Sequence, residues 1–152
     1  MTDRAVTNST CLIELERIER LDILPKVFST ITIPIAVQAE VGISAEWLIV
    51  RAVQNLAVVA SLKTQIDDGE AEAIALAMEL GDVFIILDDR NARRTAEQLS
   101  LKVIGTVGML LRAKHKGVIT EIKPLLTAMN QADFRISEAI VQNALRLANE
   151  SF

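Results

Sequence analysis

Five apolar residues in a row, Val83 to Leu87, followed at once by Asp88 and Asp89, constrain the fold of this chain more than any other stretch. The run is too short to span a membrane and too uninterrupted for a strand with one wet face, so it predicts a central strand buried on both sides. The two aspartates mark where that strand leaves its sheet, and an arginine-rich helix begins there with Arg90, Arg93 and Arg94. In open parallel sheets, ligands sit in the crevice outside the carboxyl ends of the strands. An acidic pair at that place points to a metal ion.

Strand and helix patterns alternate around this run. Ala5 to Thr7 read as a first strand, and Asn8, Ser9 and Thr10 as capping residues before a helix from Thr10. Leu12, Ile13, Leu15 and Ile18 give that helix its apolar face, with Glu14, Glu16, Arg17 and Glu19 expected to face water. A short second helix carries Leu21, Ile23, Leu24, Val27 and Phe28, with Pro25 in its first turn. Ile31 to Ile33 form a second strand, closed by Pro34 before a helix from Ile35 to Val41.

Beyond Gly42, the spacing of Trp47, Leu48, Val50 and Val53 predicts a helix over about Ser44 to Gln54, capped by Ser44, and Val58 with Val59 a short third strand. An alanine-rich helix from about Gly69 to Leu80 stops at Gly81. After the central strand and its arginine helix come a fifth strand, Lys102 to Gly105, and a helix from Thr106 to Lys114. The remainder reads as helical. Ser137 is expected to cap a last helix whose stripe is Ile140, Val141, Ala144, Leu145 and Leu147. Such alternation means an α/β fold with a mainly parallel central sheet covered on both faces, in a single domain over residues 1–152 with residues 130–152 as a C-terminal helical segment.

Composition narrows the classes. With 152 residues, 51% apolar and 24% charged, the chain is large enough to bury a core without staples. Its single cysteine, Cys11, excludes an internal disulfide and a cysteine-rich zinc site and suits a reducing, cytoplasmic setting. Met1 to Thr10 is polar rather than signal-like, and Trp47 to Leu62 is broken by Arg51, Gln54 and Asn55, so no membrane anchor is expected. A net charge of −4 argues against nucleic-acid binding by overall positive charge but leaves local clusters open.

There is no P-loop, and no GxGxxG after a strand; Gly105-Thr106-Val107-Gly108 reads as a strand-to-helix turn. His115 lies between two lysines and reads as exposed, while Cys11 reads as core. The carboxylates stand out instead. Glu40 ends one helix, Glu70 starts another, and Asp88 and Asp89 end a strand, and a parallel sheet can gather these at one edge. A few oxygen ligands suffice for Mg2+ or Mn2+, which keep several waters. Each also has a plain structural reading: Asp67 with Glu70 as a capping box, Asp88 as the next helix's cap, Glu40 as a solvated helix residue.

Val6-Thr-Asn-Ser-Thr-Cys-Leu-Ile13, Ile33-Pro-Ile-Ala-Val-Gln-Ala-Glu-Val41, Gly69-Glu-Ala-Glu-Ala-Ile-Ala-Leu-Ala77, Leu87-Asp-Asp-Arg-Asn-Ala-Arg-Arg94 and Val103-Ile-Gly-Thr-Val-Gly108 together resemble the PIN-domain superfamily. More closely, they resemble a prokaryotic PIN-like branch related to the VapC toxins. Asp133 to Glu138 resembles that branch's C-terminal segment, so the likeness covers nearly the whole chain.

The resemblance implies a three-layer α/β/α nuclease fold in which an acidic cluster binds Mg2+ or Mn2+ and activates water to cut RNA. Carried over, the family's first acid falls on Asn8, the second on Glu40, the third on Glu70 with Glu72 in reserve, and the last on Asp88 or Asp89. Asn8 departs from the usual aspartate: an amide oxygen can coordinate a hard cation but brings no charge. Ser9 and Thr10 would orient water or ligand, and Arg90, Arg93 and Arg94, at i, i+3 and i+4, would hold phosphates. Implied partners are RNA and an antitoxin protein. The high apolar content adds the expectation of a homodimer. A weakened domain that binds RNA or a protein without cutting, and a structural oligomer, are the competing classes.

Overall fold

The computed structural model describes residues 3–151. Strand β1 (Arg4–Thr7) lies at the middle of a five-stranded, all-parallel sheet. On one side it pairs with β2 (Thr30–Ile33), which pairs with β3 (Leu48–Val50); on the other it pairs with β4 (Phe84–Ile86), which pairs with β5 (Lys102–Ile104). The order is 3-2-1-4-5, so the chain reverses its direction of growth between β1 and β4. The crevice outside the carboxyl ends of those two strands is the switch point at which such sheets bind ligands.

Side chains alternate across the sheet and build two separate cores. Ala5, Ile31, Ile33 and Ile86 point into one, filled by helices α1 (Ser9–Arg17), α2 (Ile23–Val27), α3 (Ile35–Val41), α7 (Thr106–His115), α8 (Lys123–Gln131) and α9 (Glu138–Leu147). Val6, Val83, Ile85 and Leu87 point into the other, filled by α4 (Leu56–Leu62), α5 (Asp68–Leu80) and α6 (Arg90–Gln98). The result is a three-layer α/β/α sandwich. Val83 to Leu87 sits in its interior as expected, with Ile85, Ile86 and Leu87 fully buried.

The segment between β2 and α5 differs from the sequence expectation twice. No helix runs over Ser44 to Gln54; Leu48–Val50 is instead the edge strand, with Ile31 opposite Leu48 and Ile33 opposite Val50. Local helical spacing loses there to the outer edge of β2, whose ladder needs a partner. Val58 and Val59, expected as a strand, lie in α4, which Asn55 caps by accepting from Val58 N at 3.2 Å.

Three smaller corrections follow from packing. Helix α1 starts one residue early, capped by Asn8. Glu14 does not face water: it is 6% exposed, with one carboxylate oxygen accepting from Arg17 at 3.0 Å and the other buried without a partner among the described residues. In α9, Ala144 and Leu145 are buried, whereas Ile140 and Leu147 are largely exposed because the helix packs along a narrower face than its stripe suggests. No helix among the described residues is long and apolar enough to cross a membrane.

Candidate functional site

The parallel pairing of β1 with β4 continues one step past the strand, where Asn8 N donates to Ile86 O at 3.1 Å. That step brings Asn8 and Asp88, eighty positions apart in sequence, side by side. Asn8 is 4% exposed, and both ends of its amide are committed. Oδ1 accepts from Cys11 N at 3.0 Å and caps α1, and Nδ2 donates to Asp88 Oδ2 at 3.1 Å. The orientation is forced chemically, since the reverse would set an NH2 against the Cys11 N–H and an oxygen against a carboxylate.

Asp88 is held from the opposite direction by α7. Thr106 N donates to Oδ1 at 2.8 Å, and Thr106 Oγ1 donates to Oδ2 at 2.8 Å. Three donors therefore grip one carboxylate. Successive residues leaving a strand point opposite ways, and Asp89 accordingly turns to α6, which it caps by accepting from Ala92 N at 3.0 Å. Asp88 is thus not the helix cap; its neighbour is.

Glu40, Asp67 and Glu70 border a small cavity of about 50 Å3 together with Asn8, Ser9, Thr10 and Gly69. Asp67 caps α5 through Glu70 N at 2.8 Å. Burial pushes the Glu70 carboxyl up to about 7, and the negative charges of Asp67 and Asp89 add to the shift. Gly69 makes room for Glu40, because a Cβ at position 69 would collide with Glu40 Oε1. Glu72 has a different task, accepting from Ala36 N at 3.2 Å at the start of α3.

Of the three arginines, Arg90 and Arg94 are exposed, while Arg93 folds back over Gly105 and donates to Leu87 O at 3.4 Å. His115 is exposed, as expected. Burial pushes the Cys11 thiol up to about 12, with the charge of Asp88 adding to it, so it is no nucleophile near neutral pH.

The residues divide over a divalent cation. Asn8 does not fit as a ligand, since it turns its N–H toward Asp88 and spends its oxygen on Cys11 N. Among the described residues, no three histidine, cysteine, aspartate or glutamate side chains converge into a finished metal site. The Glu40–Glu70 side does fit by donor chemistry: it offers hard oxygen donors around a small cavity, a glycine cradle for Glu40, and at Glu70 a carboxylate whose burial, with repulsion from Asp67 and Asp89 added, a cation would offset.

Sequence reasoning missed Thr106, the main partner of Asp88, and Gly69, the cradle of Glu40. A hydroxyl residue at the first helical position after a strand was the available signal for Thr106. Nothing local marked Gly69, whose role depends on α3 packing across it.

Comparisons with known proteins bear on this geometry. A search of curated proteins gives no match. A solved PilT N-terminus domain protein, SSO1118, from the hyperthermophilic archaeon Sulfolobus solfataricus P2, is similar at 19% identity over 72% of this chain and 92% of its own, with a TM-score of 0.46. A family model described as PIN domain matches residues 4–150, nearly the full length. The chain belongs to the PIN-domain family.

Proposed function

We propose that this PIN domain is a ribonuclease that hydrolyses phosphodiesters in RNA with Mg2+ or Mn2+ held by Glu40 and Glu70 and otherwise by water, with Asp89 adding negative charge near Glu70 and Asp88 as a positioning group beside them. The observation that carries this reading is the gathering of Glu40, Asp67 and Glu70 around one small cavity, at the switch point of the sheet in a PIN-family chain. When bound, the cation lowers the pKa of an attacking water and offsets charge at the phosphate. Glu70, half-buried at the cavity, would be ionised once it holds the cation, and its carboxylate would orient that water. Ser9 and Thr10 offer hydroxyls at the cavity rim, and Arg90, Arg93 and Arg94 supply cationic groups for the RNA backbone. A toxin role, with an antitoxin partner and a homodimeric state, is the finer form of this proposal and rests on the VapC-like sequence motifs.

A specific observation favours a second reading, in which the domain binds RNA without cutting it. The Asn8 and Thr106 donors already occupy Asp88, so one of the family's acidic positions is spent on internal hydrogen bonds. End-labelled single-stranded RNA incubated with the purified chain in Mn2+, in Mg2+ and in EDTA separates the two. Slow cleavage that EDTA and Glu70→Gln both abolish supports the nuclease. Retention of intact RNA under every condition supports the binder, and neither binding nor cleavage sinks both.

A further inference from the structure

A second hollow, of about 440 Å3, shares none of its lining with the small acidic cavity and opens on the other flank of Asp88. It lies at the carboxyl end of β5, between the start of α7 and the segment that joins α8 to α9. Its volume falls within the range of about 300–1,000 Å3 typical of small-molecule sites. Two guanidinium groups, Arg93 and Arg135, stand in its lining, and among the described residues neither is ion-paired to a carboxylate. The Asp88 carboxylate at its back is already taken by Asn8 and Thr106. Counting Asp88, the lining carries two positive charges against one negative, a local excess of positive charge in a chain of net charge −4.

The opposite wall is apolar: Phe134, Ile136 and Ile140. Ile140 leaves 52% of its surface exposed, which the packing of α9 does not require. The wall is also fixed in shape, since Phe134 N donates to Met129 O at 2.9 Å and Ile136 N to Asn130 Oδ1 at 2.9 Å. Arg93 is aimed by the same kind of device. A Cβ at position 105 would lie 2.5 Å from its Nη1, so the glycine there is what lets the guanidinium lie over the turn.

From this arrangement we infer that the hollow is a nucleotide subsite: it seats one nucleotide of single-stranded RNA, with the base against Phe134, Ile136 and Ile140 and the adjoining phosphate on Arg93 and Arg135. An aromatic ring beside guanidinium groups without a carboxylate partner is the combination by which single strands are held, the ring stacking a base and the cations tracking the backbone. This inference rests on the RNA-directed function proposed above and adds where the strand lies and which residues grip it.

Fluorescence anisotropy with a labelled single-stranded RNA in EDTA tests the inference independently of cleavage. Arg135 is exposed, so Arg135→Gln leaves the fold intact, and Phe134→Leu keeps the apolar packing while removing the ring. Each is expected to weaken binding at least about fivefold, and Arg135→Gln to reduce the salt dependence by about one phosphate contact. Arg146→Gln, on the same helix as Ile140 but outside the hollow, serves as the control and should bind as the wild type does. RNA bound normally by both variants, with the wild-type salt slope, overturns the subsite and leaves the RNA-directed function standing. A wild type that binds no RNA overturns that function and the subsite with it.

Discussion

The carboxylate of Glu40 lies against the bare Cα of Gly69, so α3 and α5 meet with a functional group in the space where a side chain would otherwise start. Helix propensity alone would favour alanine at position 69 by up to about 1 kcal/mol. Gly69→Ala is therefore expected to leave thermal stability within a few degrees of wild type, because only the end of a flexible side chain must move. It should nevertheless displace Glu40 from the cavity and reduce Mn2+-dependent cleavage, with no further loss when added to Glu40→Gln. Melting curves and cleavage rates on the two single variants and the double variant check this.

Thr106 is completely buried and gives Asp88 two of its three donors. Thr106→Val keeps the volume and the backbone donor but sets a methyl group against a carboxylate. Loss of a hydrogen bond to a charged group costs about 1.5–3 kcal/mol. Thr106→Ser keeps the hydroxyl and loses only a methyl group, about 0.8 kcal/mol. Urea unfolding should rank the variants wild type, serine, valine, and a valine variant as stable as the serine one would show that the Oγ1 bond contributes nothing.

Glu70 sets a pH dependence. Its folded value of about 7 stands above the ordinary 4.5, so between those values the native state binds more protons than the unfolded state. Stability from this group is complete below about 4.5 and is lost as pH rises through about 7. Asp3, held down by the Arg112 hydrogen bond, and Asp22, held down by Arg20, act in the opposite sense and only at more acid pH. Glu70→Gln should flatten the stability profile between about pH 4.5 and 7 while leaving the acid limb unchanged. Denaturation midpoints measured across that range decide it.

Legibility from sequence followed the reach of the interactions. The central strand was readable because Val83 to Leu87 is apolar on both faces, and helix ends were readable where a cap is local, as at Ser137 and Gly81. Leu48–Val50 was not, because what makes it a strand is the free edge of β2, while its own spacing suits a helix equally well. Val58 and Val59 suit a strand by their own branching, and what makes them helical is the cap that Asn55 supplies to α4. At the site, the approach of Asn8 to Asp88 follows from parallel pairing of β1 with β4. What each side chain then does, donor or ligand, was set by Cys11 N and Thr106, partners that spacing cannot supply.

Asn8→Asp isolates what one amide does in this family. Aspartate is as good an N-cap as asparagine, so the bond from Cys11 N and the start of α1 should survive. The change falls on the other end of the side chain, where the donor 3.1 Å from Asp88 Oδ2 becomes a second carboxylate oxygen. Without a cation, two facing carboxylates repel and a buried donor is lost, which together should cost about 1–3 kcal/mol and lower the melting temperature in EDTA. With Mn2+ the same pair becomes a pair of charged oxygen donors, so the variant should regain the lost stability, bind Mn2+ more tightly than wild type, and cut RNA faster. The opposite signs of the effect in EDTA and in Mn2+ are the diagnostic, because a variant that merely damaged the fold would be destabilised in both. Calorimetric Mn2+ titration beside melting curves in the two buffers reads it out, and equal Mn2+ affinity in the wild type and the variant would show that the Asn8 amide is not what keeps a cation from Asp88.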